Sequence, residues 1–179
     1  MPIHSASTKV EFACKMNAFV YADPASSVAF VWLDSLSTAD PARYVTGIFI
    51  DPDNANHAWI SYSGFTAATP STPGHIFSVT YDPDAGTATW TSLDGSLGDL
   101  PLTDVVQDED TGDLYVSSDF GVLKSDGGPW TMAAPGMPNV EVAGLTYVPG
   151  SGHVHHADRI IYAASHGLGA WKLQLKHGP

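Results

Sequence analysis

VTGIFIDPDNANHAWISYSG (45–64), LTDVVQDEDTGDLYVSSDFG (102–121) and VAGLTYVPGSGHVHHADRIIYAASHGLG (142–169) are one phrase written three times. Each opens on an apolar run rich in β-branched side chains and passes through a polar turn. A second alternating run follows, ends in small residues and closes on glycine. Period-two alternation bounded by Asp, Asn, Gly and Pro is the pattern of two strands joined by a turn. A further β-rich run follows each phrase: GHIFSVTYD (74–82), GVLKSD (121–126) and GAWKLQL (169–175). The first two repeats add a fourth, TATWTSL (87–93) and PWTMAA (129–134).

Four antiparallel strands in a repeat of about 40 to 57 residues is the plan of a propeller blade. A generic β-sandwich gives no reason for one phrase to recur. The expected fold is all-β, a partial β-propeller of about three four-stranded antiparallel blades. Residues 44–179 supply the blades, and residues 1–43 supply N-terminal strands that complete or extend one. EFACKMNAFVYAD (11–23) and VAFVWLD (28–34) are the runs suited to this, because the third repeat lacks its fourth strand. Closed propellers need about four to eight blades, and an open fan leaves edge strands unpaired. A homo-oligomer that completes the fan is therefore expected.

Composition limits the partners. The 179 residues, 44% of them hydrophobic, suffice for about one domain with a real core. A net charge of −12 with seven Lys and Arg repels phosphate backbones and anionic lipid, so neither nucleic acid nor membrane is expected. No apolar run approaches the roughly 18 residues of a membrane span. The N-terminal MPIHSASTKVEFACKMNAFVYAD lacks a basic region followed by a long apolar stretch and does not read as a secretory signal peptide. A single cysteine, Cys14, excludes an intrachain disulfide and any multi-cysteine zinc site.

SDGGPW (125–130) resembles a shortened Asp-box, the S-x-D-x-G-x-x-W hairpin of bacterial sialidase-like (BNR) propellers. HAWISYSG through TATWTSL, GDLYVSSDFGVLKS and IIYAASHGLGAWKLQL are likewise similar to the C-terminal blades of such proteins, over roughly residues 44–175. The resemblance implies the propeller fold and an extracellular setting. It implies no particular activity, since many such propellers are not enzymes. Arg43 and Arg159 are the only arginines, which leaves no arginine triad for sialidase chemistry.

The third phrase departs from the other two. Phe49 to Trp59 is 10 positions, Val106 to Tyr115 is 9, and the equivalent Thr146 to Tyr162 is 16. The six or seven additional residues are essentially GSGHVHH (150–156). His153 and His155, two apart, point the same way from an extended segment, and imidazole is the commonest zinc ligand. His153, His155, His156 and Asp158 are therefore the expected ligands of a divalent metal, zinc by the nature of the donors. Asp158 serves as fourth ligand or as the acceptor that fixes a tautomer. H-x-H-x-x-D matches the metallo-hydrolase pattern H-x-H-x-D-H only superficially, with Arg159 where a histidine would follow.

Blade topology places His57, Asp108, Asp110 and Asp113 in the equivalent loops at the same end as the histidine loop, and His75 and His166 at the other. QDEDTGD reads as a hairpin turn rather than a calcium loop. His166 fits packing within its turn, and His4 and His177 read as solvated. Two functions remain open. One is a metal-dependent hydrolase in which a zinc-activated water attacks an ester or phosphoester of a small-molecule substrate; no G-x-S-x-G or Cys–His nucleophile is visible. The other is a non-catalytic extracellular module that binds carbohydrate or protein through Trp32, Trp59, Trp90, Trp130 and Trp171, although four of these stand where blade cores need bulk.

Overall fold

The computed structural model describes residues 41–150 and 159–175. Eleven strands form three antiparallel sheets in chain order. The first holds β1 (Val45–Ile50), β2 (His57–Tyr62), β3 (Ile76–Asp82) and β4 (Thr87–Ser92). The second holds β5 (Leu102–Gln107), β6 (Leu114–Ser118), β7 (Gly121–Ser125) and β8 (Thr131–Met132), and the third β9 (Val142–Val148), β10 (Ile160–Ser165) and β11 (Gly169–Gln174). Among the described residues, a 3₁₀ turn at Thr66–Ala68 is the only helical element, and no helix is long and apolar enough to cross a membrane.

The all-β expectation and the strand-by-strand reading hold for these residues, with one shortening. The fourth strand expected over 129–134 is shortened to Thr131–Met132, with the Ala133 N–H adding a last bond to Val122 O at 3.0 Å. Pro129 has no N–H to give the ladder, and the Trp130 amide is drawn away to Ser96 Oγ at 2.8 Å. The N-terminal runs 11–23 and 28–34, and their expected role in completing the third sheet, lie outside the described residues.

Register confirms the equivalence of the three phrases. Phe49 faces Trp59, Val106 faces Tyr115 and Thr146 faces Tyr162. Each first hairpin carries an irregularity at the same place, beside Gly47, Asp104 and Gly144. The turn in the second is tight, with Gly112 at φ 76° donating its N–H to Asp108 O, a left-handed conformation that glycine adopts without steric cost.

The sheets stack face to face. Trp59 and Ile76 of the first meet Leu102, Val105 and Val116 of the second. Val106, Tyr115 and Val122, on the opposite face of the second sheet, meet Val142, Leu145, Ile161 and Ala163 of the third. Val105 and Val106 are thus both buried, at 1% and 5% exposure, because the second sheet is covered on both faces. Each such side chain contributes about 1.5–3 kcal/mol when fully withdrawn from water. Trp59, Trp90, Trp130 and Trp171 all pack in or against these cores, as expected of them.

The first strands of the three sheets lie side by side, tied by polar groups. Thr46 Oγ1 donates to Leu102 O at 2.9 Å, and Thr103 Oγ1, at the equivalent position one sheet on, donates to Val142 O. Asp104 fills the space between them. Its Oδ2 accepts the Leu145 N–H at 2.8 Å and its Oδ1 accepts the Val105 N–H at 2.8 Å. Gly47 makes this possible, since a Cβ there would lie 2.4 Å from Asp104 Oδ1 and 2.8 Å from its Cα.

Burial raises the Asp104 pKa, against the lowering effect of the Leu145 and Val105 amides. A carboxylic acid whose folded pKa exceeds its unfolded value near 3.9 favours folding below that value, and the benefit is lost as pH rises through the folded pKa. Thermal unfolding of the wild type and Asp104→Asn should show this directly. Relative to the variant, which does not ionise, the wild type should lose stability as pH is raised from about 4 towards neutrality; a constant difference would contradict it.

Candidate functional site

At one end of the stack the first strand of each sheet turns back into the second. Asp51, His57, Asp108, Asp110, Asp113 and Arg159 gather at this end. Asp51, one residue past β1, accepts the Asp53 N–H through Oδ1 at 2.9 Å and faces His57 Nδ1 through Oδ2 at 2.8 Å. His57 opens β2. Its Nε2 lies 2.8 Å from Ser78 Oγ on β3, and its ring meets Trp59 edge-on at 4.5 Å between centroids. The pairing of Trp59 with Ser78, and of His57 with Thr80, puts all four side chains on the face turned towards the second sheet. The Asp51 pKa is lowered, first by the hydrogen bond from His57 and then by the Asp53 amide. An ionised acceptor at Nδ1 holds a proton there, and in the Nδ1–H tautomer the Nε2 lone pair faces the Ser78 hydroxyl.

The second hairpin uses the same positions differently. Asp113, which stands where His57 stands, pairs with Lys124 at 2.6 Å, and Lys124 occupies the position of Ser78. Hydrogen bonding to Asp113 raises the Lys124 pKa. Asp108, the counterpart of Asp51, turns away to the third sheet and pairs with Arg159 Nη1 at 2.5 Å; both side chains are 2% exposed. Tyr147 donates its hydroxyl to Asp108 at 3.2 Å. Burial, reinforced by the neighbouring acids, raises its pKa to about 12, so it remains a donor throughout the neutral range. Arg159 Nε also lies 3.2 Å from Asp110.

Ser78, Trp59, Gln107, Leu114 and Trp130 line a cleft of about 490 Å³ between the first and second sheets. A second cleft, of about 310 Å³, opens between the second and third beside Asp113 and Lys124. The SDGGPW stretch forms the turn on the wall of the first cleft: Ser125 Oγ bonds to Gly128 O at 2.8 Å, and the Trp130 indole donates to Leu93 O at 2.8 Å.

The expected ligands His153, His155, His156 and Asp158 lie outside the described residues. Their neighbours place the connection. β9 and β10 pair as far as Val148 and Ile160, so it leaves and returns at the same end as Asp51, His57, Asp108 and Asp110. Among the described residues no group of three or more His, Cys, Asp or Glu side chains is arranged to hold a metal. QDEDTGD is a hairpin turn, as read, and its cation is the Arg159 guanidinium. His75 stands at the opposite end, fully buried, with Nε2 2.9 Å from Asp99. His166 corrects the sequence reading: it was expected in packing, yet its side chain is 75% exposed and faces Glu141 at 3.2 Å. The GLG turn holds it by its backbone, through a His166 N–H bond to Glu141 O, and leaves the ring in solvent.

Sequence reasoning missed Ser78. No motif links it to His57 or Asp51; only the β2–β3 register brings them together. No protein-family model matches the chain, and no curated protein matches it either.

Removing one partner of a buried ion pair strands the other, at a cost of about 3–5 kcal/mol, whereas replacing both with apolar or neutral groups costs far less. Arg159→Met alone should therefore destabilise by about that amount, and Arg159→Met with Asp108→Asn by clearly less. Urea unfolding of the two single variants and the double variant measures the coupling, and additive losses would contradict it.

Proposed function

We propose that this chain is a partial β-propeller, similar in plan to the BNR/Asp-box proteins, that binds a divalent metal and works as a hydrolase of an ester or phosphoester. The observation that carries the reading is the gathering of Asp51, His57, Asp108, Asp110 and Arg159 at the end from which the histidine-bearing connection springs. His153, His155 and His156 would hold the metal, with Asp158 as fourth ligand or second-sphere acceptor. Zinc, the metal these donors suit, would polarise the scissile bond and lower the pKa of a water to about 7. Asp108 is already neutralised by Arg159. Further ligands would therefore come from the connection itself or from a second copy of the chain.

Self-association is supported by Tyr162. It holds the position at which Trp59 and Tyr115 are covered by the next sheet, at 7% and 4% exposure, but is itself 43% exposed. An uncovered aromatic on that face suits a further blade supplied by another copy. A non-catalytic binding module is the second reading, favoured by Trp130 on the wall of the larger cleft.

Native mass spectrometry of the full chain with one equivalent of zinc tests the first reading. Metal retained per chain, lost in His155→Ala, together with hydrolysis of p-nitrophenyl phosphate that a chelator abolishes, is the expected result. A metal-free monomer would overturn it.

A further inference from the structure

We propose that Ser78, His57 and Asp51 form a second, metal-independent centre that transfers acyl groups from esters to water, with Ser78 as the nucleophile. The order of atoms is that required for an activated serine: carboxylate to Nδ1 at 2.8 Å, Nε2 to hydroxyl at 2.8 Å. Each member is fixed from a second direction. Asp51 also accepts the Asp53 amide, the His57 ring rests edge-on against Trp59, and Ser78 sits in the ladder between Trp59 and Thr91. Ser78 is partly exposed and lines the 490 Å³ cleft, so a substrate carbonyl can reach it.

The bland alternative is a polar bridge that staples β2 to β3. The second sheet shows what such a bridge looks like: the same two positions hold Asp113 and Lys124, a plain ion pair. A staple needs only two members. The first sheet instead has a hydroxyl, an imidazole and an ionised carboxylate in line, the order that proton abstraction needs.

The reaction balances on these groups alone. Ser78 Oγ passes its proton to His57 Nε2 and bonds to the acyl carbon. Collapse of the tetrahedral adduct breaks the ester C–O bond, and the leaving alkoxide takes the proton from Nε2 and departs as an alcohol. A water then gives its proton to Nε2, attacks the acyl-serine and releases the carboxylic acid, and the proton returns to Ser78 Oγ. Asp51 stays ionised and stabilises the imidazolium formed in each half. The cleft sets Leu93, Leu114 and Trp130 beside Ser92, Gln107 and Asp126, a mixed apolar and polar lining that suits a small acyl ester.

The test is hydrolysis of p-nitrophenyl acetate by the full chain in the presence of a chelator, with labelling of the unmodified protein by an alkyl fluorophosphonate and mapping of the labelled peptide. Expected are chelator-resistant turnover, label on Ser78, and a loss of about 100-fold or more in Ser78→Ala and His57→Ala. Labelling needs no variant, so a misfolded substitution cannot mask the answer. Absence of label on Ser78, or turnover unchanged in a folded Ser78→Ala, overturns the proposal. Turnover that survives Ser78→Ala but not the chelator overturns it while leaving the metal-dependent reading intact.

Discussion

Asp104 sits where the first strands of three sheets converge, and the spacing of the whole stack follows from what that position tolerates. Its carboxyl bridges to the Leu145 amide on one side and presses against Gly47 on the other. The equivalent residues in the neighbouring sheets are Gly47 and Gly144, and the Asp104 side chain fills the space that a Cβ at Gly47 would need. The Thr46 and Thr103 hydroxyls then tie each first strand to the next through a backbone carbonyl. With strand backbones drawn this close, the faces behind them can bury Val105 and Val116 on one side and Val106 and Tyr115 on the other. A half-buried, imperfectly compensated acid is an expensive way to hold sheets together. Its raised pKa is the measure of that cost, and its two amide partners are what make it tolerable.

On that scaffold, chemistry is a matter of which side chains the repeated positions carry. At the start of the second strand the three repeats have His57, Asp113 and Ile160; opposite, on the third strand, they have Ser78, Lys124 and Lys172. The backbone is the same in each case. Only the first sheet acquires a proton-accepting imidazole next to a hydroxyl, and only there does the acid after the first strand turn inward to meet it. In the second sheet the corresponding Asp108 is claimed by Arg159 from the third, which makes it an inter-sheet tie. The same residue type at the same position thus serves orientation in one repeat and cohesion in the next, depending on the nearest cation.

The strands were legible because their signals are local. Alternation, turn residues and the threefold recurrence all lie within stretches of about 20 residues, and the register that followed paired Phe49 with Trp59, Val106 with Tyr115 and Thr146 with Tyr162 as the intervals required. The opposed ends were legible too, since hairpin topology alone separates His57 from His75. The site was much less so. Joining Asp51 to Ser78 takes the exact offset of β2 on β3, and a slip of one residue would turn Ser78 to the other face. His166 failed for a related reason: a turn sequence specifies its backbone, but whether the ring faces core or solvent depends on what packs above it.

Among the described residues, the third sheet is the last of the stack. By the pattern of the first two, residue 143 should be a threonine reaching towards the next strand, and residue 164 a serine beside it, as Ser61 and Ser117 are beside Thr46 and Thr103. Both are alanine. Among the described residues the hydroxyl tie is therefore made twice, and Ala143 and Ala164 offer no hydroxyl for a third, even though Tyr162 keeps an aromatic on this face. Apolar contact remains available on this face while the polar tie that fixes spacing is gone.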